Sequence, residues 1–140
     1  MSVKRNTDVS GDVPRFSMVS GSAMSSEKND GGTLMNQCIH STDLLQWVFG
    51  EVDEVFAYTD RLTHPYIEAE DMGLALIRFK NGAYATVEGT VNVFPNNLSD
   101  ALAVFGETGT VSVSGKYLDT VERWQFADGT DIDMAAVDMR

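Results

Sequence analysis

Two side chains stand out as able to do chemistry together: Asn36 and His40, four residues apart and directly after Gly31-Gly32-Thr33. An imidazole titrates near neutral pH and can take a proton from a hydroxyl as hydride leaves the same carbon. An amide can hold that hydroxyl by donating or accepting. If the segment is helical, a spacing of four places both groups on one face, and the Gly-Gly turn lets another chain segment or a ligand come close. By spacing alone, a single His on a helix is more often a packed or surface residue. The pair therefore needs independent support before it counts as a site.

Other chemistries find less in the chain. Two His, one Cys and no tight Asp/Glu cluster beside either His argue against a metal site. Gly109 to Lys116 invites comparison with a phosphate-binding loop, but five residues separate Gly109 from Gly115 where four are needed, and Tyr117 stands in place of the Ser or Thr. No G-x-G-x-x-G run opens a strand-turn-helix unit, so the nucleotide cradle of a Rossmann domain is absent from these residues. No G-x-S-x-G elbow presents a serine nucleophile, which leaves a hydrolase without its usual turn. Ten Lys and Arg against 21 Asp and Glu give a net charge of -11. No basic stripe can neutralise phosphates, so neither nucleic acid nor an anionic membrane is expected as a partner. Cys38, the single cysteine, excludes an intrachain disulfide and reads as a buried, reduced thiol, from which a cytoplasmic location is expected. No apolar run approaches the roughly 18 residues of a membrane span.

The elements that must position Asn36 and His40 follow from periodicity. A chain of 140 residues suits one compact domain. Residues 1–30 are rich in Ser, Asn, Asp and Gly, with a possible short strand over Val13–Val19. From Thr33, apolar residues recur at helical spacing as far as Phe49, with Thr33 the expected N-cap and Gly50 the left-handed C-terminal residue. Strands are expected over Val52–Tyr58, Asp71–Lys80, Ala83–Val93, Ala101–Phe105, Thr110–Val113 and Thr120–Phe126, with 129–140 as a tail. The domain expected over 31–128 is therefore α+β: a predominantly antiparallel open sheet with a helix packed on one face. Asn81-Gly82 predicts a two-residue type I′ hairpin. In that register Met72, Leu74 and Leu76 share the helix-facing side with Val87, Gly89 and Val91, and Ile77, Phe79 and Tyr84 lie on the other side, which is either an oligomer surface or a solvated face. Cys38, Trp47 and Trp124 read as core.

The run Gly31-Gly32-Thr33-Leu34-Met35-Asn36-Gln37-Cys38-Ile39-His40, followed by Asp43-Leu44-Leu45-Gln46-Trp47, resembles a signature of the Gfo/Idh/MocA oxidoreductases. Further likeness lies in His64-Pro65-Tyr66-Ile67-Glu68-Ala69-Glu70-Asp71, Phe79-Lys80-Asn81-Gly82-Ala83, Glu88-Gly89-Thr90 and Phe105-Gly106-Glu107-Thr108-Gly109-Thr110, so it covers residues 31 to 127. The resemblance implies the C-terminal domain of a two-domain enzyme whose N-terminal Rossmann domain holds NAD or NADP and whose open sheet mediates oligomerisation. It implies that His40 exchanges a proton with a hydroxyl or carbonyl of a sugar-like substrate, a nucleotide sugar or sugar acid among the candidates, and that Asn36 binds it. Where relatives more commonly carry Asp, Asn36 cannot act as a base, which leaves the proton to His40.

On this reading the chain lacks its Rossmann partner, binds no cofactor by itself and is inactive alone, while the parent protein is an NAD(P)-dependent dehydrogenase. Whether the chain is itself an enzyme stays open. The alternative is a stand-alone, non-catalytic oligomerisation or ligand-binding module. Glu70-Asp71 reads as structural, either a solvated strand edge or a backbone cap.

Overall fold

The computed structural model describes residues 15–21, for which only the backbone is discussed, 31–95 and 100–130. Proline-14 and the first residue of the expected Val13–Val19 strand lie outside them. Seven strands form one sheet in the order β2-β3-β4-β1-β5-β6-β7. They are β1 (Arg15–Gly21), β2 (Val52–Asp60), β3 (Met72–Phe79), β4 (Tyr84–Thr90), β5 (Asp100–Phe105), β6 (Gly109–Gly115) and β7 (Thr120–Phe126). Two antiparallel three-stranded meanders, β2-β3-β4 and β5-β6-β7, are joined through β1, which runs parallel to β4 and antiparallel to β5. The helical layer covers one face. The expected α+β class with an open, mainly antiparallel sheet is what the chain adopts.

The hairpin β3-β4 differs from expectation by one residue. Ile77 pairs with Ala85 and Leu76 with Thr86, and the loop is Lys80-Asn81-Gly82, closed by Gly82 N–H donating to the Phe79 carbonyl at 3.0 Å. Gly82 has φ +89°, whereas Asn81 is not left-handed. The turn is thus a three-residue loop with a left-handed glycine rather than a type I′ pair. Side chains alternate along a strand, so this slip reverses the side assigned to every β3 residue. Ala75, Ile77 and Phe79 face the helices with Ala83, Ala85 and Val87, and Phe79 is 2% exposed. Leu74 and Leu76 point away with Tyr84, and Leu76 is 57% exposed.

The core is the packing of helix against this meander. Leu45 and Phe49 meet Ile77, Phe79, Ala83, Ala85, Val87 and Leu102, with the Phe49 and Phe79 rings 5.3 Å apart. Two further expectations are corrected. Trp47 lies 82% exposed on the solvent side of its helix, and Trp124, on edge strand β7, is only half-buried and tilts against Phe126 at 5.5 Å. Cys38 is fully buried, as expected.

Candidate functional site

The single helix expected from Thr33 is two: α1 (Thr33–Asn36) and α2 (Ile39–Phe49). Between them Cys38 N–H reaches back five residues to the Thr33 carbonyl at 3.2 Å, and regular bonding resumes with Thr42 N–H on the Cys38 carbonyl at 2.8 Å. The cause lies in the sheet beneath. Gly73 and Gly89 are directly paired across β3 and β4. A Cβ on Gly73 would lie 2.5 Å from Leu34 Cδ1, and one on Gly89 would lie 2.4 Å from Cys38 Sγ. The two glycines leave a depression into which α1 sinks, at the cost of helical regularity where Cys38 turns inward. Asn36 ends α1 and His40 is the second residue of α2, so the interruption falls between them and helical spacing no longer relates their directions. Both are exposed. Gln37 Nε2 donates to Asn36 Oδ1 at 2.7 Å.

Thr33 does not cap the helix. Gly32 occupies the N-cap position without a side-chain bond, and Thr33 is the first helical residue, fully buried, its hydroxyl donating to the Glu70 carbonyl at 3.2 Å. The cap comes from 36 residues away: Glu70 Oε1 accepts the Leu34 N–H at 3.1 Å, doing through space what an N-cap side chain does locally. Gly31, at φ +72°, turns the chain into position. A Cβ on Gly32 would stand 1.7 Å from Glu70 Oε2. The close approach that the Gly-Gly turn allows is thus taken by this carboxylate. An anionic pyrophosphate would have to displace it, so the glycine-flanked start of α1 does not fit a dinucleotide. At its other end α2 stops at Gly50, whose φ is +81°, with its N–H on the Gln46 carbonyl at 2.8 Å.

Asp71, next in the chain, is fully buried and anchors the loop between β2 and β3. Its Oδ1 accepts Leu62 N–H at 2.8 Å and Asn92 Nδ2 at 3.0 Å, and its Oδ2 accepts Thr63 N–H and His64 N–H, both at 2.9 Å. Burial pushes this carboxyl up, but the Asn92 amide and the three backbone N–H groups outweigh it and hold its pKa well below the ordinary 3.8. His64 Nδ1 lies 3.2 Å from Asp71 Oδ2 and 2.9 Å from Thr63 Oγ1. Because the Thr63 hydroxyl donates to Asn92 Oδ1, both neighbours of Nδ1 are acceptors. That assigns the proton to Nδ1 and leaves Nε2 of a neutral ring as the acceptor. Of the two structural readings of Glu70-Asp71, the backbone cap holds for both residues.

Sequence reasoning offered a backbone cap as one of two readings but did not find which N–H groups these residues serve, because nothing local marks partners so distant in the chain. The one usable signal was Gly32, whose missing side chain required something close by. Among the described residues no group of three or more His, Cys, Asp or Glu could hold a metal, and no helix is long and apolar enough to cross a membrane. A concavity of about 280 Å³ lies on the open sheet face among Phe56, Tyr58, Leu74, Leu76, Thr86 and Glu88, away from the helices.

Comparison with known proteins now adds to this geometry. The family model for the GFO/IDH/MocA C-terminal domain matches residues 7–112. No curated protein gives a significant match. Among solved structures, the WlbA dehydrogenase from Bordetella pertussis, in complex with NADH and UDP-GlcNAcA, is 35% identical with a TM-score of 0.73 over 81% of this chain and 37% of its own. The WlbA dehydrogenase from Chromobacterium violaceum, in complex with the same two molecules, is 30% identical with a TM-score of 0.75 over 86% of this chain and 37% of its own. Levoglucosan dehydrogenase in complex with NADH and levoglucosan, at 21% identity and a TM-score of 0.69, shares the fold over 83% of this chain and 36% of its own. The chain thus spans little more than a third of the length of these structures. A family model that matches most of the chain, and two structures at 30% and 35% identity built on the same sheet, place it plainly: the chain belongs to the Gfo/Idh/MocA family, as its C-terminal domain.

Proposed function

We propose that this domain serves an NAD-dependent dehydrogenase acting on a secondary alcohol of a sugar, with a nucleotide-sugar acid as the first substrate to test. The observation that carries the reading is the 35% and 30% identity to two dehydrogenase structures that hold NADH and UDP-GlcNAcA. In the proposed division of labour the dinucleotide, held by a separate Rossmann domain, takes up the hydride. The residues of this chain handle the substrate and its proton. His40, exposed at the start of α2, takes the hydroxyl proton in oxidation and returns it in reduction. Asn36, at the end of α1, holds the same hydroxyl through its amide and takes no part in the proton transfer.

The assay is hydride transfer from UDP-GlcNAcA to NAD by the full-length protein, in which this domain is joined to its nucleotide-binding domain. His40→Ala is expected to lower kcat by about 10²- to 10⁴-fold, the usual worth of a positioned acid/base. Unchanged kcat in a folded variant would remove the role given to His40.

The open face of the sheet is proposed as the surface that meets a second copy. Phe56, Tyr58, Leu74, Leu76 and Tyr84 are all exposed there, which makes a larger apolar patch than single surface residues account for. A stand-alone binding module is the competing reading. It is favoured by the position of the 280 Å³ concavity, which lies on this open face rather than beside Asn36 and His40. Turnover by the full-length protein separates the two.

A further inference from the structure

We propose that Glu70 is a positioning residue that fixes the place of Asn36 by clamping α1 from a different part of the chain. The consequence for catalysis rests on the roles given above to Asn36 and His40; the clamp itself does not. A helical segment of four residues cannot hold its own shape, so what fixes α1 must come from outside it. The apolar hold is Leu34 over Gly73 and Cys38 over Gly89. It presses α1 onto the sheet but leaves the direction of its first turn free.

The polar hold supplies that direction. The Glu70 carbonyl accepts Thr33 N–H at 3.0 Å and Thr33 Oγ1–H at 3.2 Å, and its carboxylate accepts Leu34 N–H at 3.1 Å. The carboxylate sits flush on Gly32, where any side chain would evict it. Its base is rigid as well, because the next residue, Asp71, is pinned by the N–H groups of Leu62, Thr63, His64 and Asn92 and by the His64 ring. Two backbone-directed bonds to the Glu70 carbonyl survive any substitution at position 70. Only the Leu34 bond and the seat on Gly32 depend on the side chain, so its contribution can be isolated.

The test uses the ¹⁵N-labelled chain, with amide exchange and Asn36 resonances as readouts and β6 and β7 amides as an internal control for the fold. Glu70→Ala is expected to speed Leu34 amide exchange about tenfold or more and to move the backbone and side-chain signals of Asn36. Glu70→Gln keeps an acceptor for Leu34 and should restore both. Glu70→Asp, one methylene shorter, should behave like Ala. If Glu70→Ala fails to fold, the contrast between Gln and Asp decides the matter. Gly32→Ala should reproduce the Glu70→Ala changes and add little to them in the double variant. Unchanged Leu34 exchange and unmoved Asn36 signals in Glu70→Ala or Glu70→Asp would overturn the clamp. Asn36 and His40 signals that ignore added UDP-GlcNAcA in the full-length protein would instead remove the functional reading and leave the clamp standing.

Discussion

Replacing Asp71 by Asn tests whether the β2-β3 loop is held by a buried charge. The carboxylate is fully buried and accepts four N–H bonds between 2.8 and 3.0 Å, two on each oxygen, besides the His64 Nδ1–H at 3.2 Å from Oδ2. An amide is nearly isosteric, but one of its two positions is now a donor. Whichever way it turns, at least two of these N–H groups lose their acceptor and face an NH₂ instead. Each buried donor left without a partner costs about 1–3 kcal/mol, and partial opening of the loop to water recovers some of that. The expected loss is therefore about 2–4 kcal/mol, or roughly 10 °C in the thermal midpoint for a chain of this size.

The pH dependence carries a definite sign. Since the folded-state pKa of Asp71 lies below its ordinary 3.8, its contribution is fully present above about pH 5 and is lost as pH falls below the unfolded value towards the folded one. Urea unfolding of the wild-type and Asp71→Asn chains, followed by circular dichroism, should show the full gap at pH 7 and a narrowing gap at pH 3 and below. A gap under about 0.5 kcal/mol at pH 7, or one that does not narrow in acid, would refute the reasoning.

Other expectations follow from the packing. Phe79→Ala removes a ring that is 2% exposed and should cost about 3–5 kcal/mol; Leu76→Glu, on the open face, should leave the fold within about 1 kcal/mol of wild type and turn the proposed assembly into a monomer by light scattering. A stable Phe79→Ala and an unfolded Leu76→Glu would mean that the faces are reversed. Gly89→Ala drives a methyl to 2.4 Å from Cys38 Sγ and should destabilise by about 1–3 kcal/mol, most of which Cys38→Ala in the same chain should relieve. Additive losses in that pair, read from denaturant midpoints, would show that the contact is not the cause.

Much of the architecture was legible one residue at a time. The alternation of apolar and polar residues marked the strands, the 3.6-residue recurrence from Leu34 to Phe49 marked the helical stretch, and the glycines at 31, 32 and 50 marked its ends. The Gly31–His40 run also led to the right family. These are local signals, set by backbone periodicity and by the conformations a residue tolerates.

Register, caps and the helix break were decided elsewhere. Asn81-Gly82 suits a two-residue or a three-residue loop equally well. The longer one is held because Asn81 Nδ2 donates to the Phe49 carbonyl at the end of α2, at 3.0 Å, while its Oδ1 accepts Ala83 N–H at 3.0 Å. That contact exists only once helix and sheet have met, and it exchanged the buried and open faces of β3. Likewise, no local pattern around Thr33 reveals that Glu70 provides its cap, or that paired glycines at 73 and 89 draw Cys38 inward and interrupt the helix between Asn36 and His40. The sequence alone determined which elements form and to which family they belong. Only tertiary packing could decide how the strand faces and the two candidate site residues are placed, because the bonds that place them join residues some thirty or more positions apart.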